Sequence, residues 1–224
     1  MDRLAYADAN RGRYLAWCAD VASGPATVAD RFEFAVISAH CPFGKAIAAW
    51  KATRGIDRVL EYGAALHTAG VVGPFNKAAR ALEIRDGLAS GELPEPRADF
   101  RDWRRRYKFR GLGFCKASFA ACLCKPFESD IVCLDTHVLR ALAGEEADAR
   151  FIRRTWENRG DYEYWESVLV LEAEELQMPA FAYQWAVWDW QRARAMQVPP
   201  SNHSVFWKGG ESQYQLPLFT HLED

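Results

Sequence analysis

Hydrophobic side chains recur with helical spacing along most of the chain. Residues 28–40 place Phe32, Val36 and Ile37 at such spacing, which is typical of a helix with one apolar face. Pro42 marks the start of the next helical segment, and Gly55 stops it. Helices are predicted for the following segments: 28–40, 43–53, 75–89, 98–108, 114–124, 136–143, 161–176 and 180–195.

The pattern offers little that could build a sheet. Only Ile131–Leu134 could be a strand, and one short strand does not make a sheet. We therefore predict an all-α fold, with residues 1–198 forming a domain of two helical lobes around a cleft. From Pro199 the sequence is rich in turn residues, so we expect 199–224 to be an irregular extension.

Composition supports an ordinary globular protein. With 224 residues, 50% hydrophobic and 26% charged, the chain can bury a core without disulfides or metals, which excludes a disordered tail or a fibrous repeat. There is no apolar run near the length of a membrane span and no signal-like start. We expect a cytoplasmic protein.

The six cysteines give no recognised metal pattern. Four of them follow the spacing C-x6-C-x-C-x8-C, which matches no usual iron–sulfur or zinc motif. Cys115, Cys122 and Cys124 also fall on an apolar predicted helix. We predict core thiols, with no metal and no cofactor.

Positive charge is concentrated in residues 97–125. The whole chain has a formal net charge of −2, yet this segment holds nine basic and two acidic residues. Such a stripe is what a DNA-docking face would carry, but a solvated helix face would look the same. Charge alone does not separate the two interpretations.

A glycine turn joins the basic helix to the next, apolar helix. Gly111-Leu112-Gly113 allows close backbone approach, and the N–H groups that open the second helix are suited to a DNA phosphate. By itself this is a weak signal, because any helix–helix turn can use glycines.

Asp135 follows the apolar run Ile131–Leu134 and opens another helix. Aspartate is a preferred N-cap, so the residue has a structural explanation. A carboxylate aimed into a cleft is the functional interpretation. The two are compatible, because one oxygen can cap the helix while the other faces a substrate.

Together these motifs resemble the helix-hairpin-helix DNA glycosylases, the group of endonuclease III and 8-oxoguanine glycosylase. The resemblance covers roughly residues 28–195 and is carried by the glycine hairpin with Lys116 and by Leu134-Asp-Thr-His-Val-Leu-Arg140. Further matching pieces lie in the same order: Phe34–His40, Phe75–Ala78, Gly91–Pro94 and Ala182–Trp185.

The resemblance implies a cleft that receives a nucleotide swung out of the duplex. It implies that Asp135 stabilises the cationic sugar as the glycosidic bond breaks. Lys116 becomes the candidate nucleophile, although the family's lysine position falls on Cys115. Either the hairpin is one residue longer, or Lys116 binds phosphate while Cys115 lines the pocket.

The same resemblance assigns further contacts. Arg110, Gly111, Gly113 and Lys108 are expected to hold the DNA backbone. His40 could read the flipped base, but a lone histidine is more often structural. Trp185 could line the pocket, although its spacing from Trp188 and Trp190 equally fits packing.

The end of the chain carries a separate motif. Gln215-Leu-Pro-Leu-Phe219 resembles the peptide that docks on the bacterial β sliding clamp, with Gln215 orienting and Leu216, Leu218 and Phe219 filling an apolar groove. The alternative is a hydrophobic latch that packs back on the domain.

The leading hypothesis is a nucleoid-associated, base-flipping DNA glycosylase, with or without a lyase step. Two alternatives stay open. The same fold could transfer an amino acid or amine onto an activated thymine-derived base in phage-type DNA, or it could be a non-catalytic DNA-binding module. The identity of the base cannot be obtained from the sequence.

Overall fold

The computed structural model describes residues 1–24, 26–107, 109–144 and 147–196, without the side chain of Met196. Within these ranges the chain forms twelve α-helices and no β-strand, which confirms the all-α prediction. The helices are α1 (Arg3–Ala9), α2 (Arg11–Ser23), α3 (Val28–Ile37), α4 (Phe43–Thr53), α5 (Val59–Thr68), α6 (Pro74–Ser90), α7 (Phe100–Arg106), α8 (Phe114–Cys124), α9 (Thr136–Ala143), α10 (Ala149–Glu157), α11 (Arg159–Glu175) and α12 (Ala180–Met196).

The predicted segments all contain helices, and α4, α8 and α9 have the predicted bounds. The first one is shorter than expected, because α3 ends at Ile37 and His40 already has a positive φ of 51°. The sequence analysis missed α1, α2, α5 and α10. No helix in the described part of the chain has both the length and the apolarity needed to cross a membrane.

Helix α3 lies at the centre of the fold. Every residue from Arg31 to Ile37 is buried, and the helix packs against α4, α6 and α8. On one side α5 packs on α6. On the other, α12 contacts α1, α2, α9 and α11, and α10 packs on α11. A helix buried on all faces loses the clear amphipathic pattern of a surface helix.

Residues 131–134 were the one candidate strand, and the structure corrects that interpretation. The segment, here called the strap, is buried but pairs with no strand. Its backbone N–H groups donate instead to side chains of α11 and α12: Val132 to Glu166 Oε1 (3.0 Å), Cys133 to Gln184 Oε1 (2.7 Å) and Leu134 to Tyr162 Oη (3.1 Å). These acceptors satisfy donors that a sheet would otherwise satisfy.

Candidate active site and glycine hairpin

Asp135 lies where the strap ends and α9 begins. Its Oδ1 accepts from the backbone N–H of Val138 at 2.9 Å, which makes it the N-cap of α9. Its Oδ2 accepts from the indole Nε1–H of Trp188 on α12 at 2.8 Å. The sequence predicted the cap, but gave no signal for the tryptophan. Both oxygens retain a lone pair, so the half-buried carboxylate can still accept from a ligand.

His137 and Arg192 both pack against the ring of Trp188. The imidazole of His137 lies edge-on to the Trp188 ring at 5.8 Å, and the Arg192 guanidinium lies 4.2 Å from that ring. Burial lowers the pKa of His137, although the neighbouring Asp135 carboxylate opposes the shift. The imidazole is therefore mainly neutral near pH 7, which leaves Asp135 without a full positive charge from this neighbour.

Lys116 reaches from the first turn of α8 to the end of α3. Its Nζ donates to Ser38 Oγ at 3.1 Å and lies 5.0 Å from the ring of Phe119. Lys116 and Asp135 both influence the thiol of Cys133, and they shift its pKa in opposite directions. The two predicted catalytic residues are therefore both close enough to this buried sulfur to act on it electrostatically.

The thiol of Cys115 lies beside the thiol of Cys133. Its Sγ lies 3.3 Å from Cys133 Sγ, and all six cysteines of the chain are free thiols. The hydrogen bond to Cys115 and burial together raise the pKa of Cys133 well above its ordinary value. In the described ranges, no three His, Cys, Asp or Glu side chains converge as a metal-binding group.

Lys77, which lies in the segment Phe75–Ala78 that resembles the glycosylase family, is buried. Its Nζ donates to the carbonyl oxygen of Ile37 at 3.0 Å and to that of Ala39. Burial lowers the pKa of Lys77. The ammonium group thus donates to carbonyl groups at the C-terminal end of α3 that lack helical partners. It also supports the turn that contains His40.

The glycine hairpin is a β-turn. The backbone N–H of Leu112 donates to the carbonyl of Phe109 at 3.0 Å, and Gly111 has a φ of +85°. Gly113 is the N-cap of α8 and supplies no capping side chain. Arg110 is exposed and makes a long contact of 3.8 Å to Glu83. Lys108 lies outside the described residues.

The arginines of α7 are largely paired with carboxylates of the same fold. The positive stripe predicted for 97–125 therefore offers less unpaired positive charge to a partner than its composition indicated. Arg104 forms a buried bidentate pair with Glu166 at 2.6 and 2.8 Å. Further pairs of this helix involve more exposed arginines: Arg101 with Glu166 (3.6 Å), Arg105 with Glu163 (2.8 Å) and Arg106 with Asp102 (2.5 Å). The sequence gave no sign of these carboxylates, because Glu163 and Glu166 come from α11.

A cavity of about 800 Å³ lies beside the start of α9. It is lined by α9, α10 and the turn after α3, where His40 lies. Its wall carries three arginines, Arg140, Arg150 and Arg153, the ring of Trp156, and one carboxylate, Glu157, which lies 3.9 Å from Arg153. Trp156 connects this wall to the strap, because its Nε1–H donates to the carbonyl of Leu134 at 2.7 Å. The sequence analysis missed the two α10 arginines, since it did not predict that helix.

Trp185 lies in the core and not among the residues that line this cavity. It is 4% exposed, and its ring packs against Trp17 at 4.6 Å and Phe43 at 5.1 Å. Packing therefore accounts for its position. The clamp-like segment with Gln215, Leu216, Leu218 and Phe219 lies outside the described residues.

Comparison with known proteins gives a match in structure alone. No protein-family model and no curated protein matches the sequence. The fold is similar to the crystal structure of the Methanocaldococcus jannaschii 8-oxoguanine glycosylase/lyase in complex with a 15mer DNA containing 8-oxoguanine. The TM-score is 0.66 at 17% identity, over 81% of this chain and 88% of that one. The protein therefore has the fold of the helix-hairpin-helix DNA glycosylases.

Proposed function

We propose that this protein is a DNA glycosylase that extrudes a damaged or modified base and hydrolyses its N-glycosidic bond. One observation carries the proposal. The carboxylate of Asp135 is fixed by two donors, Val138 N–H and Trp188 Nε1–H, beside a cationic cavity. The similar fold of an 8-oxoguanine glycosylase/lyase supports it.

The cavity beside α9 has the chemistry to hold an extruded nucleotide. Its arginines, Arg140, Arg150 and Arg153, suit the flanking phosphates, and the ring of Trp156 suits a planar base. Extrusion costs a few kcal/mol, and contacts of this kind can offset it.

Asp135 would act by electrostatics. As the bond between C1′ and the base nitrogen breaks, the electron pair leaves with the base and positive charge develops on the sugar. A preorganised carboxylate stabilises that charge. Water then adds to C1′ and loses a proton, and the departing base gains one.

Lys116 would provide the lyase step. Its neutral amine would attack C1′ in place of water as the bond to the base breaks. The C1′–O4′ bond would then open, O4′ would take up a proton and the nitrogen would lose one, which gives a Schiff base from which strand cleavage can follow. Two observations support this role: Nζ is held by Ser38 Oγ at the end of α3, and the ammonium acts electrostatically on the thiol of Cys133 in the strap.

The hairpin would bind the DNA backbone. Arg110 is exposed beside the turn, and Gly113 leaves the start of α8 without a capping side chain, so a phosphate oxygen could accept from the first N–H groups.

We also propose that Gln215–Phe219 docks on the β sliding clamp. A pull-down with the wild-type chain and with Leu218→Ala tests this contact.

Incubation with duplexes carrying 8-oxoguanine, uracil, 5-hydroxymethyluracil or alkylated bases, with and without borohydride, tests the function. We expect base release from one of these, and a trapped covalent adduct that is lost in Lys116→Gln. Release without trapping would overturn the lyase step alone. If no base is released from any duplex while phage-type thymine-derived DNA gains an amine substituent, the transferase alternative replaces the proposal.

A further inference from the structure

We propose that Cys115 and Cys133 form a redox modification site, in which peroxide converts the two thiols into a reversible disulfide. Cys115 lies on the first turn of α8 and Cys133 in the strap, and their sulfur atoms are 3.3 Å apart. A disulfide needs an S–S distance of about 2.05 Å, so a closure of little more than one ångström suffices.

The two thiols differ in access, which assigns them different parts in the reaction. Cys115 is half-buried, whereas Cys133 is buried at 5% exposure. Peroxide therefore reaches Cys115 first. Cys133 then acts as the resolving partner and gives up its proton as it attacks. Its raised pKa slows this step, whereas the 3.3 Å separation of the two sulfur atoms favours it.

The chemistry balances with peroxide as the only added reactant. The Cys115 thiolate attacks one peroxide oxygen, the O–O bond breaks, and hydroxide leaves to give a sulfenic acid. The Cys133 sulfur attacks the sulfenic sulfur, the S–O bond breaks, and water leaves with the Cys133 proton. In sum, two thiols and one hydrogen peroxide give one disulfide and two waters.

No other cysteine has this arrangement among the described contacts. Burial raises the pKa of Cys18 and that of Cys124 to about 12, which suppresses their thiolates. Cys122 is buried and its thiol donates to the carbonyl of Ile131 at 3.0 Å. Cys41 is half-buried like Cys115, but in the part of the chain that the structure describes no second sulfur lies beside it. Cys41 is therefore the matched control.

The position of the pair gives the modification a local consequence. Cys115 precedes Lys116 directly, and Cys133 lies two residues before Asp135. A disulfide would tie the first turn of α8 to the strap and would hold the two charged groups at a fixed separation. This inference concerns the thiols themselves and does not depend on the proposed base chemistry.

The test treats the folded full chain with hydrogen peroxide, alkylates the remaining thiols and maps the peptides. Cleavage after Lys116 and Glu128 separates Cys115, Cys122 with Cys124, and Cys133 onto different peptides. We expect two of the six thiols to be lost, a Cys115–Cys133 cross-linked peptide, and full recovery of the thiols with dithiothreitol.

Variants distinguish a specific pair from general oxidation. Cys41→Ser should leave the cross-link unchanged, whereas Cys115→Ser and Cys133→Ala should each abolish it. A Cys115 sulfinic acid without a cross-link, a link between other cysteines, or no loss of thiols on peroxide treatment would each overturn the proposal.

Discussion

The indole Nε1–H of Trp188 donates to Oδ2 of Asp135 at 2.8 Å, across the space between α12 and the start of α9. The same carboxylate caps α9 through its other oxygen. A residue on a neighbouring helix therefore fixes the direction of a carboxylate whose backbone belongs to the strap. This contact is the basis for treating Trp188 as a residue that positions Asp135.

Replacing Trp188 by phenylalanine removes this N–H and keeps a ring for His137 and Arg192 to pack on. A hydrogen bond to a charged group contributes about 1.5–3 kcal/mol, so kcat for base release should fall about 10- to 100-fold, with little change in KM. Single-turnover kinetics on the cleavable duplex measures this. Trp190→Phe is the control, because Trp190 Nε1 donates to the backbone oxygen of Met1 instead. Equal losses in both variants would contradict the assigned role.

Asp135→Asn should abolish base release without unfolding the protein. Asparagine caps helices as well as aspartate does, but it lacks the charge that stabilises a cationic sugar, so we expect a loss of at least about 100- to 1,000-fold. Asp148→Asn makes the same change at the exposed N-cap of α10 and should leave the rate unchanged. Unimpaired release by the Asp135 variant would remove this residue from the chemistry.

Breaking the Arg104–Glu166 pair should destabilise the whole fold. Both side chains are buried, and Glu166 also accepts from the strap at Val132. Glu166→Gln therefore removes the bidentate partner of the buried Arg104 guanidinium and leaves it with Glu163 at 4.0 Å. We expect about 3–5 kcal/mol lost from the free energy of unfolding, measured by urea denaturation. Glu163→Gln removes a more exposed partner of Arg105 and should cost less than about 1 kcal/mol. Similar losses of unfolding free energy in the two variants would contradict the expected difference between the buried and the exposed ion pair.

Gly111→Ala and Gly12→Ala should change stability in opposite directions. Gly111 has a φ of +85°, where a side chain costs about 1–2 kcal/mol, and a Cβ would meet Arg80 at 2.2 Å. Gly12 lies within α2 with open space around it, so alanine should add about 0.5–1 kcal/mol there. Thermal unfolding of both variants measures the difference. A stabilised Gly111→Ala would mean that the turn does not need the left-handed conformation.

His137 should make stability depend on pH. Its folded-state pKa is lower than its ordinary value of 6.5 because of burial, so the unfolded state binds the proton more readily. The free energy of unfolding should therefore fall as the pH decreases below about 6.5. Urea denaturation between about pH 7 and about pH 5 should show this slope reduced in His137→Gln and retained in His67→Gln, which alters an exposed histidine of α5. An unchanged slope in His137→Gln would contradict the prediction.

Local sequence patterns predicted much of the fold. The bounds of α4 and α9 follow from Pro42 and from Asp135, which are signals within a few residues of the helix ends. Helix α10 was missed although Asp148 caps it in the same manner. Its apolar positions, Phe151, Ile152 and Trp156, do have helical spacing, but they mark a segment of only nine residues.

The sequence was less informative about the candidate site. Asp135 could be found from its neighbours in the chain, but its contact with Trp188 joins residues 53 positions apart. Lys77 and Arg104 carry charges that suggest surface positions, and both are buried by acceptors from other helices. Such long-range pairings have no local pattern, because each partner satisfies ordinary helix preferences by itself.

The strap has one more consequence. Its backbone N–H groups are bonded to side chains on α11 and α12, so Asp135 reaches its position only after those helices have docked. The carboxylate is thus absent as an organised group from any partly folded chain. Molecules that have lost this docking would still contain most of their helices, but Asp135 would not be held in position. Circular dichroism, which reports helix content, would therefore overestimate the fraction of molecules with an organised site.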